Sequence, residues 1–344
     1  MDIVGVVIIG RNEGSRLAAC IRSIRAGAPP ETPVVYVDSA STDDSVQIAH
    51  DNGADIVQLN PTIPFTAARA RNAGAEFLLH RHPALNYLQF VDGDTEVHPR
   101  WILHALDYLN HHPHVAVVCG RRRERFPEAS VYNLLVDMEW DTPIGIAEEF
   151  GGDSLIRAEA FRRVGGYRPE FIAGEEPDLA ARLRLDGHSI GRLNHEMTLH
   201  NVAMTRFTQW WRRTLRSGHA LAQLAHTHGR TPLLFYRRQW KSTLLWAVAV
   251  PLAILLLALI VTWWAIFLLP LAFAYLTARI VQHRIRRGDD RYSACAYGLF
   301  TALGKVPQCV GLARFYRSLW SKRPATIIEY KAAPNPATTP VGNT

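Results

Sequence analysis

Apolar, β-branched runs at 3–9, 33–37, 55–59, 86–91 and 114–119 recur along the first third of the chain, each closed by turn residues. Between them, apolar positions fall at helical spacing over about 14–26, 43–51, 65–80 and 98–110. Strands that are apolar throughout are buried on both faces. Alternating with helices, they predict a parallel α/β sheet covered on both sides. Such sheets bind ligands at the carboxyl ends of their strands. Three polar clusters, "RNEG" (11–14), "DSASTD" (38–43) and "DGD" (92–94), follow strands directly and are predicted to meet on one edge.

The pattern then changes. From about 120 to 200 it is less regular, with a helix predicted to begin near Pro177 in "GEEPDL", where Pro and acids suit a first turn. Residues 206–241 alternate aromatic and basic positions, as in helices lying on a membrane surface, with Trp210 and Trp211 as interfacial anchors. The 37 residues from 242 to 278 carry no charge and no His. One helix of that length would measure about 55 Å against a hydrocarbon core of about 30 Å. Two spans over 242–281, turning near Thr262, Trp263 and Trp264, fit better. The segment 290–323 contains Lys305 and Pro307 and is expected to dip into the membrane or lie flat on it. Residues 331–344, rich in Pro, Ala and Thr, are expected to be disordered.

Charge sharpens this picture. The net charge is +7 and the pI about 9.4. The basic residues gather at 206–241, 279–291 and 314–323, flanking the apolar segments. Membrane lipids explain that distribution better than nucleic acid, for which no recognition motif is present. Basic clusters on both sides of the hairpin put both its ends in the cytoplasm by the positive-inside rule. Four cysteines without a CxxC pair suit isolated thiols in a reducing compartment. The N-terminus reads as a first strand, since it lacks the basic region of a signal peptide. Together these predict a multi-pass protein of the inner (plasma) membrane whose N-terminal domain faces the cytoplasm.

Asp92, Gly93 and Asp94 end an apolar strand, and two like charges so close need compensation. An EF-hand loop is excluded, because its glycine and final glutamate positions hold Val97 and Leu103. A strand-end Asp-x-Asp holding Mg²⁺ or Mn²⁺, with coordination sites left for substrate phosphates, is the chemistry that fits. Glu96 reads as an acid near the start of the following helix.

The stretches "VVIIGRNEG", "VVYVDSASTDDS", "AARARNAG", "LQFVDGDTEV", "FGGDSLIRAEAFRRVGGY" and "GEEPDL", in this order over about residues 3–215, resemble a family 2 glycosyltransferase. The resemblance implies a GT-A, Rossmann-like mixed sheet with helices on both faces, followed by C-terminal membrane helices. Residues 1–205 would be the catalytic domain, with a donor half to about 120 and an acceptor half over 121–205. It also implies metal-dependent, hexosyltransferase-type transfer with inversion, from a nucleotide diphosphate sugar. The membrane segments point to a lipid-linked or cell-surface glycan acceptor, as in polysaccharide biosynthesis.

Carried over by motif, Asp38 would contact base or ribose, Arg71 and Asn72 would lie near the donor, and Asp92 would bind ribose or metal. Asp94 would hold the metal, and His200 could complete its site. Arg11 stands where the family often has an aromatic and, with Glu13, joins the donor-binding set; a guanidinium plane also stacks on a base. Glu176 takes the place of the family's catalytic Asp and is about 1.5 Å longer, leaving Glu175 and Asp178 as alternatives for the base. "QWWRR" matches the family's Gln-x-x-Arg-Trp at Gln209 and Arg212 but has Arg213 in place of Trp. The rival readings are a non-catalytic sugar-nucleotide-binding membrane protein and a nucleotidyltransferase of similar fold.

Overall fold

The computed structural model describes residues 4–233 and 236–321. The anticipated tail at 331–344 and the basic residues Lys322 and Arg323 lie outside them.

The first strands and helices fall within a few residues of the positions their patterns predict. They are β1 (Val4–Gly10), α1 (Ser15–Gly27), β2 (Val34–Asp38), α2 (Ser45–Asp51), β3 (Asp55–Gln58), α3 (Ala67–Arg81) and β4 (Tyr87–Asp92). After β4 come β5 (Thr95–Val97), α4 (Trp101–His111), β6 (Val115–Glu124), α5 (Val131–Trp140), β7 (Gly145–Ala147), β8 (Ser154–Arg157) and α6 (Ala158–Arg163). The domain closes with α7 (Glu175–Leu185) and β9 (Ser189–His200).

The sheet runs β3-β2-β1-β4-β8-β6-β9-β5, with β7 paired to β9. Its first four strands are mutually parallel, as are β6 and β9; β8 enters antiparallel between β4 and β6, so the sheet is mixed. Register does the positioning. Gly10 pairs with Asp38 and Ile9 with Asp92, which brings the ends of β1, β2 and β4 level at one edge. On the far half, His200 at the end of β9 pairs with Thr95, the residue after Asp94. Thr66 caps α3 by accepting from the Arg69 amide at 3.1 Å. Gly74 lets that helix press onto the sheet, since a Cβ there would come within 2.4 Å of Val7.

Beyond the sheet lie α8 (Phe207–His228), α9 (Arg237–Leu244), α10 (Val250–Ile260), α11 (Leu268–Arg286), α12 (Arg291–Leu303) and α13 (Lys305–Ser321). Two continuous helical stretches, Arg237–Ile260 and Trp263–Arg286, are long and apolar enough to cross a membrane. They turn at the expected Thr262, and Leu259, Ile260, Trp263 and Trp264 are exposed there. The 290–323 segment folds, over its described part, as α12 and α13, and α13 packs along α8. That crossing is close. A Cβ on Gly218 would come within 2.1 Å of the Gln308 carbonyl, and one on Gly311 within 2.1 Å of the Leu215 carbonyl. Trp210 is buried against Leu135, Val136, Val202 and Met204, not placed at an interface, because the apolar face of α8 packs on protein.

Candidate active site

A cleft of about 990 Å³ opens at the edge where β1, β2 and β4 end. Its first wall joins two of the polar loops. The Ser45 hydroxyl accepts from the amides of Glu13 (2.9 Å) and Gly14 (3.0 Å), and the Asn12 side chain accepts from the Thr42 amide at 2.7 Å. Arg11 and Glu13 line this wall. The Arg11 guanidinium sits 5.9 Å from the centre of the Phe65 ring, and Glu13 pairs with Arg16 at 2.8 Å.

The floor is carboxylate chemistry held by arginines. Asp92 pairs with Arg71 at 3.0 Å through one oxygen and with Arg122 at 3.1 Å through the other. Burial alone would raise the Asp92 pKa, but the two guanidiniums outweigh it and hold the group below the usual carboxylate value. Asp94 lies beside His200, Nε2 to Oδ1 at 3.2 Å, and both are buried. Asp92, Asp94 and His200 each offer one ligand atom, all within 4.8 Å of one another. Two carboxylates and an imidazole form a donor set suited to a divalent cation.

Arg71 also reaches across the cleft. Its Nη1 lies 2.9 Å from Glu175 and 3.0 Å from Glu176 at the start of α7. Gly174 turns the chain into that helix with φ +81°, in the left-handed region. Burial, then the charge of Glu175, pushes the Glu176 pKa up to about 7, against the opposing pull of Arg71. Glu176 lines the cleft. Asp178, one of the alternative bases, does not. Its carboxylate is fully buried between Arg182 (2.7 Å), Arg168 (3.2 Å) and His228 (2.8 Å), where it fastens α7 to α8.

Three more sequence-marked residues turn away from the cleft. Asn72 clamps the Tyr167 backbone, donating to its carbonyl at 2.6 Å and accepting from its amide at 2.9 Å. Being one step along α3 from Arg71, it points about 100° away. Asp38 is buried under Ser39, accepting from the Ser41 amide at 2.9 Å and the Tyr36 hydroxyl at 3.2 Å. Glu96 stands within β5, not near the next helix, and pairs with Arg125. Gln209 caps the first turn of α8 by accepting from the Thr205 and Arg206 amides, while Arg213 lines the cleft and pairs with Glu139 at 2.7 Å.

Several site residues escape sequence reasoning. Asp153 accepts from the Asp92 amide (3.1 Å) and the Thr198 hydroxyl (2.7 Å), and Arg122 approaches it at 3.4 Å. The Arg122 guanidinium also lies 4.5 Å from the centre of the Trp140 ring, which meets His200 edge-on at 5.2 Å. Strand alternation in "GRRRE" is the one signal available for Arg122, since it puts the middle arginine on the opposite face from its neighbours.

Residues 5–162 match the family model described as glycosyl transferase family 2. The N-terminal domain is a family 2 glycosyltransferase. An overlapping model, described as the N-terminal domain of galactosyltransferase, matches residues 135–207 of this glycosyltransferase. Among solved structures, the mannosyltransferase PcManGT from Pyrobaculum calidifontis, in complex with GDP-Man and Mn²⁺, is 20% identical with a TM-score of 0.55. That match covers 93% of this chain and 88% of the other. S. aureus TarS 1-349 is 13% identical with a TM-score of 0.53, covering 93% of this chain and 92% of that one. At these identities the likeness establishes the fold alone, which is of GT-A type. No curated protein sequence matches the chain.

Proposed function

We propose that the protein is a metal-dependent, inverting hexosyltransferase that uses a nucleotide diphosphate sugar and a lipid-linked or cell-surface glycan acceptor at the cytoplasmic face of the membrane. The observation that carries this reading is one cleft holding the Asp92, Asp94 and His200 donor set at one end and Glu176 at the other, joined by Arg71. The first wall, with Arg11 and Glu13, would take the nucleotide, and Asp38 would steady the loop beneath it. A divalent cation held by Asp94, with Asp92 and His200, would supply charge stabilisation to the departing diphosphate.

Glu176 does the proton chemistry. Its carboxylate takes the proton of the acceptor hydroxyl while that oxygen bonds to the anomeric carbon and the bond to the diphosphate breaks. A single displacement with one base inverts the anomeric centre. The opposite wall is formed by α8, including Arg213, Arg216 and Leu224, and this helix packs against α13 and α9, next to the two membrane-length helices. An acceptor carried by a lipid would reach the cleft from that side.

A thermal-shift screen of nucleotide sugars with and without Mn²⁺ tests the reading, because binding to the folded state raises the midpoint. One nucleotide sugar should stabilise wild type in the presence of Mn²⁺ and fail to do so in Asp94→Asn. Stabilisation that is equal without the metal, or unchanged in that variant, would defeat the metal assignment.

A further inference from the structure

A second cleft, of about 590 Å³, lies on the other face of the β6–β9 pair. Arg122 faces the catalytic carboxylates, so its neighbours Arg121 and Arg123 point the opposite way and line this second cleft. Arg192 and His195 join them from β9, and Arg100 from the turn before α4. Among the described residues two carboxylates, Asp141 and Glu196, share the wall, and both are already engaged. Arg121 pairs with Asp141 at 3.6 Å and, behind the wall, with Asp137 at 2.8 Å; Arg123 pairs with Glu196 at 2.7 Å.

Arg192 differs from the exposed Arg100 and Arg123 in being buried. It is only 3% exposed, its Nη1 donates to the Leu193 carbonyl, and its Nε has no hydrogen-bond partner. It joins no ion pair among the described residues. A guanidinium cannot shed its charge at physiological pH, and a buried charge without a counter-ion is strongly unfavourable. The nearby acids are taken up by the other two arginines, so no described residue supplies a counter-charge of its own to Arg192, and a bound anion would. Planar forks from several arginines, with imidazoles beside them, match the oxygens of a multiply charged tetrahedral anion.

We propose that this cleft is a second ligand site, holding a phosphate group with Arg192 as its buried anchor and Arg123 and Arg100 at its mouth. Thr142 lines both clefts, so the phosphate site and the catalytic cleft share a wall.

The test uses the full chain in nanodiscs of zwitterionic lipid, with EDTA present so that metal-assisted phosphate binding in the catalytic cleft is suppressed. Inorganic phosphate is titrated by calorimetry. Wild type and Asp94→Asn should bind it alike, Arg123→Gln about tenfold more weakly, as for loss of one charge-assisted hydrogen bond, and Arg192→Met not measurably. Should Arg192→Met fail to fold, the exposed Arg123→Gln and Arg100→Gln decide the matter. A parallel arm replaces free phosphate by phosphatidic acid in the nanodisc. A response there alone, lost in the same variants, supports the site and assigns its phosphate to a lipid headgroup. No binding in either arm, binding unchanged in the arginine variants, or loss of binding in Asp94→Asn would overturn the proposal.

Discussion

Glu176 and Asp178 are two residues apart on one helix, yet their surroundings give them opposite chemistry. Glu176 is half-buried beside a like charge, and its pKa rises to about 7, which suits the proposed acceptor of a proton near neutrality. Because the working form of a base is the ionised one, transfer should increase with pH through about 7 and level off above it. Glu176→Gln should keep donor binding, lose about 10² or more in kcat and lack that pH limb; a variant that stays fully active would move the base to Glu175. For Asp178, burial alone would raise the pKa, but His228, Arg182 and Arg168 outweigh it and hold the group below the usual carboxylate value. A depressed pKa gives stability that is present above the ordinary carboxylate range and lost as pH falls through the lowered value. Asp178→Asn should therefore destabilise the protein by about 3–5 kcal/mol at neutral pH, and the gap to wild type should close in acid. Denaturant melts at neutral and acid pH check this, and equal stabilities at neutral pH would contradict it. Individual letters conceal this division. Three first-turn acids look alike in the sequence, and the arrival of His228, 50 positions later, together with Arg168 and Arg182, separates one from the others.

Among elements, the long buried strands were legible and the short ones were not. β1, β2 and β4 are apolar runs of five to seven residues, so their pattern and order emerge from the sequence. β5, β7 and β8 have three or four residues each, too few for a period to show. β8 is the strand that turns the sheet from parallel to mixed, and Asp153 immediately precedes it. The glycine before that aspartate has a measurable role. A Cβ on Gly152 would sit 2.4 Å from Arg71 Nη2 and 3.2 Å from Asp92 Oδ1. Gly152→Ala should leave the fold intact but displace the Arg71–Asp92 pair, abolishing the thermal shift from nucleotide sugar. A variant that binds donor normally would show that the pair tolerates displacement.

For the whole molecule, the paired membrane-length helices were plain from 37 uncharged residues, whereas the packing of the flanking helices was not. Aromatic and basic alternation in α8 suggests a surface helix, but Trp210 and Leu221 are buried against other parts of the chain. Leu135, Val136, Leu312 and Phe315 among their partners are remote in sequence, beyond the reach of local periodicity. The purified protein is expected to float with liposomes after an alkaline wash, and recovery in the soluble fraction would contradict membrane insertion. The α8–α13 crossing has a mechanical consequence. Backbone meets backbone at Gly218 and Gly311, and Leu312 and Phe315 of α13 pack on α8 in a cluster that Trp240 and Leu244 of α9 complete. The wall of the cleft is thus braced by side-chain packing against the start of the first membrane-length helix. With those helices in a bilayer, such an enzyme would work at a set height above it, like a tool on a fixed stand. Lipid-anchored acceptors of increasing glycan length should show an optimum in kcat/KM, whereas a flat response would mean that the stand can bend.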